Sequence, residues 1–203
     1  VRMNDASRMP RPSARKPAWV TVPAAGGGVS YAQVRGQVRG QNLHTVCDEA
    51  RCPNRAECWN HGTATLLLLG DVCTRGCRFC AVKTGHPGGI VDDAEPARVA
   101  SAVQDLGLRY VVLTSVDRDD LPDGGASVYA ATAHAIRAAV PDVVIEALIP
   151  DFGGSDAALA TLLAAPIAVV GHNVEVVPRL SPAVRDPRAS FAGSLAVLRA
   201  VKR

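Results

Sequence analysis

Apolar and polar residues follow a regular order from residue 63 to the end of the chain. Four short runs rich in Val, Leu and Ile have the length and composition of buried strands. They are TATLLLLG (63–70), LRYVVLTS (108–115), DVVIEALI (142–149) and IAVVGHNVEV (167–176). Each run is followed by a segment in which apolar residues recur every three or four positions, the spacing of a helix face. The pattern predicts four consecutive strand–helix units, with helices at 95–107, 125–140, 155–165 (Ser155 as N-cap) and 189–203.

Continuous apolar strands that alternate with helices predict an α/β fold with a parallel sheet, because parallel strands need crossover connections. An open doubly wound sheet and a partial (β/α) barrel are both compatible with four such units. In either case the loops after the carboxyl ends of the strands carry the chemistry. These loops contain CTRGCRFC, TSVDRDDLPDGG, IPDFGG and GHNVEVVPRL, and we expect them to converge on one face of the sheet.

The first 62 residues follow a different pattern. Residues 1–30 are rich in Pro, Gly, Arg and Ala, and we predict a disordered basic tail there. Residues 31–62 show little periodicity but carry three cysteines. We therefore predict three parts: the tail 1–30, a cysteine-bearing segment 31–62, and an α/β part 63–203.

Composition narrows the classes of partner. The formal net charge is only +3 and aromatic residues make up 4% of the chain, which argues against a nucleic-acid partner. No run approaches the ~20 apolar residues of a membrane span, and no apolar segment of a secretory signal follows the basic N-terminus. We expect a soluble protein without a membrane partner, located in the cytoplasm, or in the mitochondrial matrix if the source is eukaryotic.

All six cysteines lie between positions 47 and 80, which favours metal binding in a reducing compartment over a disulfide framework. They form two trios, Cys47, Cys52 and Cys58 as C-x4-C-x5-C, and Cys73, Cys77 and Cys80 as C-x3-C-x2-C. Zinc sites commonly use four ligands. Two groups of three instead fit two [4Fe–4S] clusters, each with one iron open to another ligand.

The C-x3-C-x2-C run, with Phe79 before its last cysteine and a strand ahead of it, resembles the radical S-adenosylmethionine (SAM) superfamily. The segment CDEARCPNRAECW (47–59) resembles the second-cluster signature of lipoyl synthases. The resemblance continues through CAVKTGHP, GLRYVVLTSVDRDDLPDGGA, IEALIPDF and HNVEVVPRL, and so covers nearly all of residues 31–203.

The resemblance implies a partial (β/α) barrel of the radical SAM type, with four βα units present and the last units missing. It also implies insertion of two sulfur atoms at C6 and C8 of an octanoyl chain bound to a lysine of a carrier domain. Cys73, Cys77 and Cys80 would hold the catalytic cluster, whose open iron binds SAM for reductive cleavage. Cys47, Cys52 and Cys58 would hold a second cluster that is consumed as the sulfur source.

Five further residues are candidates for SAM binding. Gly124 and Gly125 permit close backbone approach and would meet the methionine end of the cofactor, although a tight turn explains them equally well. Asn173 and Glu175 lie two apart on the predicted strand and would share a face. Arg185 would pair with the cofactor carboxylate or with an acidic carrier surface.

The implied partners are octanoylated carrier domains, namely the E2 subunits of 2-oxoacid dehydrogenases and the glycine cleavage H protein. An electron donor such as ferredoxin or flavodoxin and an iron–sulfur carrier are implied as well. Family members continue beyond the helix at 189–203 to a serine that ligates the second cluster, and this sequence has no matching serine. We therefore expect this chain alone to be a fragment of low activity.

Two alternative functions remain open on the sequence. One is another radical SAM enzyme with a second cluster. The other is a noncatalytic iron–sulfur or zinc module that binds carrier domains. Reductive cleavage of SAM by the reconstituted protein distinguishes the enzymes from the module.

Overall fold

The computed structural model describes residues 29–50, 52–61, 63 and 65–203. The predicted tail 1–30 therefore lies almost entirely outside the described residues. The helices are α1 Val29–Gly40, α2 Val46–Glu49, α3 Arg55–Asn60, α4 Glu95–Asp105, α5 Ala126–Ala139, α6 Asp156–Leu163, α7 Ser181–Val184 and α8 Phe191–Val201. The strands are β1 His44–Thr45, β2 Thr65–Leu68, β3 Val72–Cys73, β4 Lys83–Thr84, β5 Tyr110–Ser115, β6 Val144–Ile149 and β7 Val169–His172.

The main sheet has the strand order β1-β2-β5-β6-β7. Strands β2, β5, β6 and β7 are parallel, and each pairs with the next one in sequence. A doubly wound sheet reverses its strand order at a switch point, whereas a barrel wall adds each strand to the same side. The observed order is that of a barrel wall, so the prediction of a partial (β/α) barrel is confirmed.

Helices α4, α5 and α6 cover the sheet in the order in which they occur in the chain, and their apolar faces supply the core. Val99, Val103, Ile136 and Leu162 are each at most 1% exposed. The side chain of Ser155 accepts a hydrogen bond from the backbone N–H of Ala158 at 3.2 Å, which confirms the predicted N-cap of α6.

The segment before residue 63 is more regular than its sequence indicates. It contains α1, which packs on α3 through Tyr31 and Trp59, with ring centroids 5.0 Å apart. Strand β1 then pairs antiparallel with β2, so that Thr45 lies opposite Leu66. Val34 and Val38 of α1 belong to the same buried cluster as the sheet residues. The first cysteine segment is thus packed on the barrel wall.

No helix among the described residues is long and apolar enough to cross a membrane.

Candidate active site

The loop that carries Cys73, Cys77 and Cys80 follows β2 and lies over the carboxyl end of the sheet. The short parallel pair β3–β4 fixes its two ends, and the backbone N–H of Gly85 donates to the carbonyl of Cys73 at 2.9 Å. The backbone N–H of Thr74 donates to the carbonyl of Asp117, just after β5, at 2.9 Å. The loop is therefore held by its own ends and by the neighbouring strand.

A cavity of about 230 Å³ opens beneath this loop. All three cysteines of the second trio line it, together with Asn173, Glu175 and Arg185 from the region after β7. The convergence predicted for the strand ends therefore occurs here, and it brings six of the predicted site residues to one cavity. Val46 and Ala50, on either side of the first trio's Cys47, form another part of the wall.

Three buried polar atoms in the lining residues have no hydrogen-bond partner among the described residues. They are Oγ of Ser115, Nε2 of His172 and Nε of Arg185. The other ring nitrogen of His172 lies 2.8 Å from the carbonyl of Ile149, so Nδ1 carries the proton and Nε2 is free to accept. Buried polar atoms normally have partners. A polar ligand with both donor and acceptor groups fits this cavity, and SAM has that chemistry.

Two thiols of the second trio, those of Cys73 and Cys77, lie in an environment that favours their protonated form in the metal-free chain. Burial raises the pKa of the Cys73 thiol, and nearby Asp117, whose Oδ2 lies 3.9 Å from Cys73 Sγ, raises it further. Burial likewise raises the pKa of Cys77. A bound metal removes these protons outright, because thiolates are the ligating form. Metal binding at this site would therefore release protons.

The first trio lies on two short helices and the turn between them. Cys47 is buried on α2, Cys58 lies on α3, and Cys52 lies between them with its backbone N–H 3.2 Å from the carbonyl of Cys47. Burial raises the pKa of the Cys58 thiol, and the proximity of Cys47 and Cys52 adds to the effect. The structure thus brings these three cysteines together as a second group.

The cysteine sulfurs do not form a preformed site for a single zinc ion. Sulfur ligands of one tetrahedral zinc ion lie about 3.8 Å apart, given Zn–S bonds of about 2.3 Å. Among the described residues, the side chains that place three ligand atoms within 4.8 Å of one another are His44, Glu49 and Asp71, and neither cysteine trio meets that limit.

Asn173 and Glu175 reach the cavity by a different route from the one predicted. Strand β7 ends at His172, because its last pairing with β6 is His172 opposite Ile149. The chain then leaves the sheet, and Glu175 has a left-handed φ of 65°. The prediction that both residues lie two apart on a strand is therefore wrong, although both line the cavity.

Gly124 and Gly125 do not line the cysteine cavity. A Cβ on Gly124 would lie 3.1 Å from the Cα of Phe152, in a neighbouring cavity of about 260 Å³. Gly125 caps α5 with a φ of 93°, and a Cβ there would lie 2.2 Å from Cδ1 of Leu69. Their positions match the alternative of a tight turn, and they give no support to a contact with the methionine end of SAM.

The sequence analysis did not identify two features of the site. It gave His172 no role, although the position of this residue at the end of a predicted strand was visible. The other feature is Arg75, which is buried beneath the loop among Asp117, Asp119 and Asp151. The only signal for the second feature was that all three aspartates follow predicted strands.

Comparison with known proteins agrees with these observations. The sequence matches the Radical SAM superfamily over residues 67–203. It also matches the N-terminal domain of lipoyl synthase of the radical SAM family over residues 4–52, which include most of the predicted tail.

Curated relatives carry the name lipoyl synthase. That of Halorhodospira halophila is 57% identical over 93% of this chain and 56% of its own length. That of Thermus thermophilus is 54% identical over 100% of this chain and 63% of its own length. That of Pyrobaculum calidifontis is 57% identical over 92% of this chain and 64% of its own length. The chain thus spans less than two thirds of the length of these relatives. It belongs to the radical SAM superfamily, and its relatives within that superfamily are lipoyl synthases.

Proposed function

We propose that the protein containing this chain is a lipoyl synthase. It would insert two sulfur atoms at C6 and C8 of an octanoyl chain that is held in amide linkage to a lysine of a carrier domain. The observation that carries the proposal is the cavity lined by Cys73, Cys77 and Cys80, with partnerless buried polar atoms beside them. This cavity occurs in a chain that is 54% identical to a lipoyl synthase over all of this chain and 63% of that relative.

The second trio is proposed to hold the catalytic [4Fe–4S] cluster and to leave one iron open for SAM. When bound, the cluster and SAM supply the one-electron chemistry that unactivated C–H bonds require. The chain's own groups orient the cofactor. Arg185 offers its free Nε to a carboxylate, His172 offers Nε2 to a hydroxyl, and Asn173 and Glu175 line the same cavity.

The first trio, Cys47, Cys52 and Cys58, is proposed to hold a second [4Fe–4S] cluster that serves as the sulfur substrate. Its support is positional. Val46 and Ala50 flank the α2 region that carries Cys47, and both line the cavity of the second trio. A sulfur source on this segment would lie beside the site where the octanoyl carbon is activated, as transfer to a short-lived carbon centre requires.

The proposed partners follow from the activity. They are the octanoylated E2 subunits of 2-oxoacid dehydrogenases, the glycine cleavage H protein, a ferredoxin or flavodoxin, and an iron–sulfur carrier. None of the six cysteines, all of which lie among the described residues, forms a disulfide. This agrees with a reducing compartment, and we place the protein in the cytoplasm.

Anaerobic reconstitution with iron and sulfide, followed by incubation with SAM, a reductant and an octanoyl-lysyl peptide, tests the proposal. We expect about eight iron atoms per chain, formation of 5′-deoxyadenosine, and a peptide mass increase that corresponds to two added sulfur atoms, since the reductant keeps the product as a dithiol. The test should use the protein at the length of its relatives alongside the present chain.

Two single substitutions divide the roles. Cys77→Ser should abolish 5′-deoxyadenosine formation, because the catalytic cluster of the second trio cannot form. Cys52→Ser should retain SAM cleavage but form no sulfur-containing peptide, and its iron content should fall to about four atoms per chain. A colourless protein that binds zinc and leaves SAM intact would contradict the proposal and favour a noncatalytic module.

A further inference from the structure

Arg75 lies inside the cysteine loop, between Cys73 and Cys77, and its side chain is 4% exposed. Its guanidinium makes two paired contacts with carboxylates. Nε and Nη2 donate to Asp119 at 3.0 and 2.7 Å, and Nη1 and Nη2 donate to Asp151 at 2.8 and 2.7 Å. Nη1 also lies 3.3 Å from Asp117. All three nitrogens are therefore engaged by carboxylates.

These aspartates belong to the ends of two other strands. Asp117 and Asp119 follow β5, and Asp151 follows β6. Burial alone would lower the pKa of Arg75, but its bonds to Asp151 and Asp119 outweigh burial and raise that pKa, so the residue stays charged. A buried, fully bonded guanidinium fixes geometry in a way that a flexible ammonium does not. Arg75 thus joins the cysteine loop to β5 and β6.

A second arginine connects the same loop to the region before α8. Arg188 donates from Nη2 to the carbonyl of Thr74 at 2.7 Å and from Nε to Asp186 at 2.8 Å, and its Nη1 lies 3.1 Å from Asp119. Asp186 in turn accepts from the backbone N–H of Gly76 at 2.9 Å. Asp119 is therefore shared by both arginines, which makes the two connections one network.

The network ends on a sulfur atom. The backbone N–H of Asp186 donates to Sγ of Cys77 at 3.3 Å, while the side chain of the same residue is held by Gly76 and Arg188. Hydrogen bonds to cluster sulfurs are among the factors that set the reduction potential of an iron–sulfur cluster. The placement of this amide depends on the loop being held against the strand ends.

We propose that Arg75 is a positioning residue for the radical-generating site. Through its paired bonds to Asp119 and Asp151 it holds the Cys73–Cys80 loop in its cluster-binding form, and with Arg188 it keeps the Asp186 amide on the sulfur of Cys77. The inference rests on the proposed function in one respect, namely that the second trio holds a cluster. A loop held in this form should lose iron more slowly, because its cysteines stay in position to bind. The cluster should also have a less negative reduction potential, because an N–H···S bond stabilises the more negative, reduced cluster.

The test uses the cluster-loaded protein with Cys52→Ser as the parent. This substitution disables the first trio, so that iron is bound by the second trio alone. Arg75→Lys keeps the positive charge but cannot form two paired contacts. We expect iron release to a chelator to become about 10-fold to 100-fold faster, the range typical for loss of a residue that orients metal ligands. We also expect the midpoint potential to become more negative. Arg188→Gln, at a side chain 48% exposed, should change both quantities in the same direction but by less.

Arg98→Gln is the matched control, because Arg98 bonds to Asp92 and to the carbonyl of Gln41 rather than to the cysteine loop. It should leave iron release and the potential unchanged. If Arg75→Lys lowers only the melting temperature, or matches the parent in both readouts, the inference is wrong. If Arg75→Lys does not fold, Arg188→Gln decides by the same two readouts. If the parent itself binds no cluster, the proposed function fails, and the two failures are thereby distinguished.

Discussion

Asp117 lies in the wall of the cysteine cavity, where opposing influences act on its carboxylate. Burial raises its pKa to about 6, and the carboxylates of Asp151 and Asp119 add to the increase, while Arg75 opposes it. The folded state therefore favours the neutral carboxyl relative to the unfolded chain, where the pKa is near 3.8. The contribution of Asp117 to stability is greatest below about pH 4 and is lost as the pH rises through about 6.

Asp117→Asn should therefore stabilise the reduced, metal-free chain at neutral pH. A raised carboxyl pKa of this size corresponds to roughly 3 kcal/mol. We expect a gain on the order of 1 kcal/mol, because the amide still loses water on burial. Thermal unfolding followed by circular dichroism between pH 4 and 8 measures it. The difference between variant and parent should be small near pH 4 and reach its full size above pH 6.5.

Asp120, in the same loop, provides the opposite case. A hydrogen bond from Arg118 lowers its pKa to about 2, so its charge stabilises the folded state at every pH above its ordinary value. Asp120→Asn should reduce the melting temperature at pH 7 and have less effect as the pH falls towards 2. If both variants lower the melting temperature at pH 7, the account of Asp117 is incorrect, and if both raise it, the account of Asp120 is incorrect.

At the scale of single elements, the start of α5 shows how a glycine fixes the position of a helix. Gly125 is the N-cap and has a φ of 93°, a conformation that side chains other than glycine rarely adopt. Its backbone N–H donates to Asp123 at 2.9 Å, and the space where a Cβ would stand is filled by Leu69, just after β2. The helix therefore begins in direct contact with the end of the neighbouring strand.

Gly125→Ala should destabilise the chain by about 2–4 kcal/mol, which combines left-handed strain with overpacking against Leu69. Gly36→Ala in α1 is the control, since no described atom outside the adjacent backbone of its own helix lies within 4 Å of its Cβ position, and its φ is ordinary. It should stabilise by about 0.5–1 kcal/mol. Urea unfolding of both variants gives the two values, and equal effects would exclude a packing role for Gly125.

The elements that sequence reasoning found are those whose patterning is local. Strand β5 and helix α5 lie within two residues of their predicted limits, because each has a continuous apolar pattern and a clear stop. Helix α1 was missed, although Tyr31, Val34 and Val38 have helical spacing, since its two glycines weaken the helical signal. Strand β7 was predicted too long because Val174 and Val176 continue a β-branched pattern past the last paired residue.

At the scale of the whole molecule, the site depends on contacts between distant parts of the chain. The two cysteine trios were predictable because the spacing of the cysteines is a local pattern in the sequence. The convergence of the loops on one face was predictable because the order of strands and helices implies a parallel sheet. The bonds of Arg75 to Asp119 and Asp151 were not, since they span 44 and 76 residues. A pattern of neighbouring residues cannot predict which aspartate after a strand will contact an arginine in another loop.

The docking of the first cysteine segment on the barrel leads to the last prediction. Trp59 is 1% exposed, follows Cys58, and packs against Tyr31 of α1 within the common core. Trp59→Ala should cost about 3–5 kcal/mol in stability, the range for removal of a large buried aromatic. Because α3 carries both Trp59 and Cys58, iron bound by the first trio should fall in a Cys77→Ser background, where the second trio is disabled.

Tyr110→Phe is the matched control for this prediction. Tyr110 is 41% exposed and its hydroxyl bonds to Glu146 at the opposite, amino-terminal end of β5, so its loss should change stability by less than about 1 kcal/mol and leave the iron content unchanged. Iron analysis and urea unfolding on the same samples give both quantities. If Trp59→Ala destabilises the fold but retains the full iron content of the first trio, the segment binds its cluster independently of its docking. Loss of both quantities together would mean that packing on the barrel wall is what brings Cys58 to Cys47 and Cys52.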